Sequence, residues 1–264
     1  MIKFFRRIRQ NLLLEEKSGK PAAMPSAGKP VGRYLKYAMG EIILVVIGIL
    51  IALSINNWNE QRIEGKVLKE YLHKIADNVN QDIKQIEGLK IRRDTVNSKA
   101  TRSGKALMKR DFSNIIEILQ GQSAFYEFYF TPNNSGFEAL KNSSYLGKIN
   151  NTKVDSLLTH YYSQVEDTRK AEESMNNFIE NMEVQLNTNV DLTSLEIIIY
   201  NMRNDEKMNY KTNDILPYIQ HNAFKGAVFR TMDDKSYIRN YKNLLDFGNA
   251  LIQEINRFCD SINY

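Results

Sequence analysis

Apolar residues follow two regimes along this chain. From Ile42 to Leu53 they run without a break, and from Asn59 onward they recur every three or four positions. The unbroken run is 12 residues long, short of the roughly 20 needed to cross a bilayer core of about 30 Å. Its flanks lengthen it. From Tyr37 to Trp58 the stretch takes 21 helical steps, about 31 Å at about 1.5 Å per residue. The only Trp of the chain then falls at one end, and Tyr34 and Tyr37 at the other, as aromatic side chains do at the two membrane interfaces. A buried core helix would be amphipathic or flanked by similar segments. A cleaved leader would start from a short basic segment, whereas more than 35 residues precede this run. The pattern predicts an uncleaved transmembrane helix over residues 34–58.

Glu41 stands at one end of that helix, seven residues from its midpoint at Gly48. There a carboxylate can reach the headgroups, or pair with Lys36 or Arg33. At mid-bilayer it would cost several kcal/mol. Tyr37, Glu41 and Trp58 are therefore the expected interface residues. Glu41, Gly48, Ala52 and Ile55 also share one helical face, and Gly48 and Ala52 are spaced for close helix approach. Glu41, Gly48 and Ala52 are candidates for a helix–helix contact that makes a homodimer. The competing reading is a snorkelling Glu beside small residues of no special role.

The periodic regime begins with Leu68, Leu72, Ile75, Val79, Ile83, Ile86 and Leu89. It predicts a stalk helix to about residue 109, continuous with the span or kinked near Gly65. Residues 111–121 read as a short helix ended by Gly121. Phe125, Tyr126, Phe128, Tyr129 and Phe130 then crowd before a Pro-Asn-Asn-Ser-Gly turn. Ser135 is expected to cap a short helix carrying Phe137 and Leu140. Together with Phe137 and Tyr145, the aromatics either line a pocket or plug the space between helices. Thr152 and Asp155 have capping-box spacing, with Asp in place of Glu. The helix they open is expected to bury Val154, Leu157, Leu158, Tyr161, Tyr162 and Val165, then Met175, Phe178, Ile179 and Met182, and to expose the charged 166–173 stretch. Residues 194–202 fit a strand or a short buried helix. Ala223 to Asn263 reads as one long helix, with Gly226 and Gly248 as tolerated breaks. The predicted fold class is all-α: a transmembrane helix continuing into a stalk, then an antiparallel helical bundle over 59–264.

Charge adds orientation. The net charge of +5 is uneven, because residues 1–37 carry nine Lys/Arg and two Glu, a balance of +7, and the remainder sums to −2. The basic side of a span stays cytoplasmic, which places residues 59–264 in the periplasm and the chain in the inner membrane. Residues 1–16 form a basic amphipathic arm suited to an anionic lipid surface, and residues 17–33 a flexible Pro/Gly linker. The body has no basic footprint for nucleic acid. An arm of 37 residues holds no catalytic domain, so any output passes through a partner.

Candidate chemistry is sparse. Cys259 is the single cysteine, which excludes a disulfide framework and a Cys metal site. It is either a small core residue or a thiol for an intermolecular bridge. His73, His160 and His221 fall in separate segments, with no metal-binding motif among them. Glu172–Glu173 and Asp233–Asp234 are adjacent carboxylates, but helical neighbours point about 100° apart. No catalytic, metal or cofactor residues are assigned.

Two blocks carry a resemblance. "MIKFFRRIRQNLL" followed by "YLKYAMGEIILVVIGILIALSINNWNE" is similar to the opening of an uncharacterised family of Gram-negative bacteria, domain of unknown function number 6090. "TPNNSGFEALKNSSYLGKINN" is similar to that family's central block. The chain departs by its extended Pro/Gly linker. The resemblance is expected to reach over the whole chain, most weakly over the final helices. It implies a single-pass membrane protein and supplies no activity or site residue. The functional expectation is a membrane-anchored extracytoplasmic module for protein interaction, scaffolding or sensing, with the lipid bilayer and an envelope protein as partners. The rivals are a periplasmic enzyme assembled around Tyr126, Tyr129 and His160, and a homodimeric structural stalk.

Overall fold

A computed structural model describes residues 31–204 and 211–262, without the side chains of 31–34, 36, 37, 202 and 203. The basic arm, most of the linker and Asn263 lie outside the described residues. Those described fold into eight α-helices and no strand. The chain divides into two units, Met1–Glu60 and Gln61–Tyr264.

The apolar run lies in the part of α1 (Val31–Lys109) that belongs to the first unit. Every side chain from Ala38 to Glu60 is exposed, and the helix is long and apolar enough to cross a membrane. Leu50 is 57 % and Trp58 53 % exposed, so this is no core helix. Gly65 does not interrupt α1. The helix stops where its backbone turns left-handed at Arg110 (φ 53°). There the Arg110 and Asp111 amides bond back to the carbonyls of Leu107 and Ala106, both at 3.1 Å, which satisfies two orphan acceptors of the last turn.

In the second unit, α2 (Ile115–Leu119) leads through a 3-10 turn (Gln120–Phe125) and an extended segment to α3 (Ser135–Lys141). A second 3-10 turn (Leu146–Lys148) precedes α4 (Lys153–Asn189). Then follow α5 (Thr193–Arg203), α6 (Thr212–Gln220), α7 (Asn222–Asp233) and α8 (Ser236–Ser261). Two apolar clusters form the core. In the first, Leu72, Ile75, Val79 and Ile86 of α1 meet Leu158 and Tyr161 of α4 and Leu244 and Leu251 of α8. In the second, Ala100 and Leu107 of α1 meet Ile179 of α4 and Ile198, Ile215, Phe224 and Val228 from α5, α6 and α7. Asp82 touches Tyr161 and Arg93 faces Glu172, so α1 and α4 run the same way. Tyr237 reaches Asp94 and Gly248 abuts Val79, so α8 is antiparallel to both. The segment 110–152 makes the return that this topology requires.

Several local expectations are corrected, and two, a helix over 194–202 and the Thr152 cap, are met. The final helix is two, because Asp234 breaks the run: its Oδ1 accepts from the Ser236 amide at 2.9 Å and hydroxyl at 2.6 Å, a side-chain bond that competes with helix continuation. Gly248 is not the break. A Cβ there would lie 3.1 Å from Val79 and 3.3 Å from Tyr161, so it is a close-packing position. Residues 194–202 are helical, with Leu195 and Ile198 buried at three-residue spacing. Gly121 does not end α2 but lies inside the following 3-10 turn, against Ser103. Ser135 is not a cap: its hydroxyl donates to Asn78 Oδ1 at 3.2 Å, and the cap position, Asn134, makes no side-chain bond. Thr152 does cap α4, accepting from the Asp155 amide at 3.3 Å. The 166–173 stretch is not wholly solvated, because Glu172 is 4 % exposed.

Candidate functional site

Residues 126–134 carry neither helix nor turn, yet their backbone is held by side chains from two helices. On the α4 side, Asn176 brackets Phe128: its Oδ1 accepts the Phe128 amide at 3.4 Å, and its Nδ2 donates to the Phe128 carbonyl at 2.9 Å. One turn earlier, Glu172 Oε2 accepts the Phe130 amide at 2.7 Å. The next residue with this parity is Pro132, which has no amide to satisfy. On the α1 side, Gln85, Asp82 and Asn78 accept the amides of Thr131, Asn133 and Gly136 at 3.1, 2.8 and 2.7 Å. The strap is thus a strand whose neighbours are helical side chains. These polar positions, Asn78 and Asp82 buried and Gln85 exposed, carry an apolar periodicity's spacing, 78, 82, 85, and lie beside Ile75, Val79 and Ile86. That coincidence is the sequence signal that could have found them.

The two buried carboxylates extend inward. Asp82 also accepts from the Tyr161 hydroxyl at 2.9 Å. Burial pushes its carboxyl above the usual range, opposed by the bonds from Asn133 and Tyr161. Glu172 accepts from the Tyr241 hydroxyl and faces Arg93 at 3.5 Å, with Asp234 on the guanidinium's other side at 3.8 Å. Arg93 is itself 6 % exposed. Its guanidinium carbon lies 4.9 Å from the ring centre of Phe128, 5.5 Å from Tyr237 and 5.6 Å from Tyr241, a cage favourable to a desolvated cation. Burial also raises the hydroxyl pKa values of Tyr161 and Tyr241, and that of Tyr237 to about 12. All three remain donors at neutral pH. Among the described residues Arg93 Nε and Nη2 and Thr231 Oγ1 have no hydrogen-bond partner, Nη2 meeting Glu172 only as an ion pair. Arg93 and Thr231 border a hole of about 20 Å³, room for one water.

Beyond Arg93 the strap forms one wall of a surface cleft of about 760 Å³. Its floor and opposite wall come from Leu89, Ile91, Arg92, Thr95, Val96 and Lys99 of α1, with Glu183 of α4 at the side. Ile91, Tyr126 and Tyr129 stand in it 68, 60 and 56 % exposed. Tyr129 donates to Glu127 Oε2 at 2.7 Å. Arg92 and Lys99 make no ion pair among the described residues.

The structure divides the aromatic cluster read from the sequence. Tyr126 and Tyr129 line the cleft, together with parts of Phe125 and Phe128. Phe130 is buried, Phe125 stacks on Phe224, Phe137 on Tyr162 at 4.3 Å, and Tyr145 leans on Tyr71. His160 is exposed, stacks on Phe247 and does not line the cleft. Of the adjacent carboxylates, Glu172 turns inward and Glu173 outward, and Asp234 inward and Asp233 outward. In the first unit Glu41, Ala52 and Trp58 are exposed, and a Cβ on Gly48 would meet nothing within 4 Å. The Tyr37 side chain lies outside the described residues. Among the described residues no group of three or more His, Cys, Asp or Glu is placed to hold a metal.

No curated protein and no solved structure matches the chain. Residues 41–168, a little under half of the chain, are similar to a family of unknown function (DUF6090), the match taking in the apolar run, the strap and the first half of α4.

Proposed function

We propose that this protein is a membrane-anchored binding module. Residues 34–58 cross the inner membrane of a Gram-negative cell, the basic arm stays in the cytoplasm, and the helical body over 59–264 works in the periplasm. The cleft beside Tyr126 and Tyr129 takes a ligand, and an envelope protein is the partner. One observation carries the anchoring: the whole stretch Ala38–Glu60 is helical and exposed, and 12 consecutive residues within it are apolar. Such a surface is stable in hydrocarbon and costly in water, at about 25 cal/mol per Å² of apolar area. The orientation rests on the +7 arm. Binding is favoured over catalysis because the cleft walls offer aromatic, aliphatic and single charged side chains without His or Cys.

Protease added to intact spheroplasts tests this. The expected result is digestion of the body, with a protected fragment that ends shortly after Trp58. A body that is cut only after lysis, or a chain released from membranes by alkaline carbonate, overturns the proposal.

A further inference from the structure

The polar ladder along α1 stops abruptly. Asn78, Asp82 and Gln85 accept the amides of Gly136, Asn133 and Thr131. One turn further on the same face stands Leu89, which has nothing to accept with. In an extended chain, successive amides point to opposite sides. Phe128 and Phe130 point to α4 and are bonded there, so Glu127 and Tyr129 point to the α1 side. Neither of their amides has a protein partner among the described residues. The cleft opens where the ladder stops, and Leu89 lies in it.

We infer that the cleft takes an extended acidic peptide, which adds as a strand to the free main-chain edge at Glu127 and Tyr129. The inference rests on the reading of the cleft as a binding surface and goes further by naming the ligand's class. A strand in this position supplies carbonyls to the two free amides and donates its own N–H groups to the Glu127 and Tyr129 carbonyls, which point the same way, the recognition mode of β-augmentation. Its alternate side chains meet Ile91, Tyr126 and Tyr129, which offer apolar area without rearrangement. The α1 wall is cationic at Arg92 and Lys99, seven residues and hence about 10 Å apart on one face, and neither makes an ion pair among the described residues. Acidic side chains of the peptide lie against this wall. Glu127 is engaged by the Tyr129 hydroxyl, and Glu183 stands on the opposite side.

The test uses the full chain in lipid nanodiscs, panned against a phage-displayed library of random linear peptides, with empty nanodiscs as counter-selection. The expected result is enrichment of sequences in which apolar residues alternate with Asp or Glu. A synthetic copy of an enriched peptide should lose about tenfold in affinity for each of its N–H donors to the strap that is blocked. N-methylation in one register should therefore weaken binding, and N-methylation in the alternate register should leave it unchanged. Arg92→Glu and Lys99→Glu, both at the cleft surface, should each weaken binding severalfold with the fold intact. On binding, the amides of Glu127 and Tyr129 should slow their hydrogen exchange, while those of Phe128 and Phe130 stay as they were. No enrichment over empty nanodiscs overturns the proposal, and so does a bound peptide indifferent to N-methylation in both registers. Either failure leaves the spheroplast result, and with it the anchoring and orientation, standing, whereas a bound peptide indifferent to N-methylation keeps the cleft as a binding surface and removes only the strand pairing.

Discussion

Asp82 is 2 % exposed and carries two structural bonds, one to the strap and one to Tyr161. Its carboxyl is raised above 3.8, first by burial. A raised acid binds its proton more tightly folded than unfolded, so this contribution is fully present below pH 3.8 and is lost as pH climbs through the folded value. Asp82→Asn keeps an acceptor for Asn133 and has no charge to desolvate. The variant should gain stability relative to the wild type as pH rises above 3.8, measured by urea unfolding in mild detergent at a series of pH values. A constant difference would show that Asp82 is not the source. Arg93 presents the complementary case. Arg93→Met leaves Glu172 charged and buried with only hydrogen-bond donors, and removing one partner of a buried pair costs about 3–5 kcal/mol. Adding Glu172→Gln, which still accepts from Phe130, should recover part of that loss, and a double-mutant cycle by circular dichroism reads the coupling. These residues were hidden in the sequence because Glu172 sits within a run of charges and Arg93 beside another Arg, where a solvated face is the ordinary expectation.

At the scale of elements, α3 is pinned to α1 at Gly136. A Cβ there would lie 2.9 Å from the Ile75 amide nitrogen and 3.0 Å from the Lys74 carbonyl carbon, both backbone atoms, and 2.8 Å from Asn78 Oδ1. Backbone cannot step aside as a side-chain tip can, so Gly136→Ala should cost about 1–3 kcal/mol by overpacking. Gly88, in α1 with open space around it, should respond in the opposite sense, gaining up to about 1 kcal/mol of helix propensity as Ala. Thermal unfolding of the two variants separates packing from propensity. The long elements α1 and α4 were legible because their apolar spacing repeats over many turns and, for α4, a Thr cap marks the start. The break at Asp234 was not, because periodicity runs through it and only the turn made by one carboxylate interrupts the helix. The strap was partly legible: its aromatic cluster and Pro-Asn-Asn-Ser-Gly turn were visible, but its hydrogen-bond partners lie 42 to 58 residues away in sequence.

For the whole molecule, the two regimes of hydrophobic spacing correspond to the two units into which the chain divides, since a run apolar on every side and a stripe apolar on one side demand different surroundings. The cleft belongs to neither pattern. It arises where three long-range events coincide: the polar ladder of α1 reaching Leu89, the strap leaving α4 at Asn176, and Tyr126 and Tyr129 turning outward. Similarity to the family of unknown function covers residues 41–168, and so includes the strap but not α8, whose Tyr237 and Tyr241 complete the Arg93 cage. Cys259 has a practical consequence. The sulfur-bearing residue is 3 % exposed, and burial pushes its thiol pKa up, so the reactive thiolate is scarce and shielded. The natural sequence therefore already serves as a silent background for maleimide or spin-label chemistry. A single cysteine introduced at an exposed position such as Ile91 or Lys170 will report its own surroundings, and the native one can stay in place.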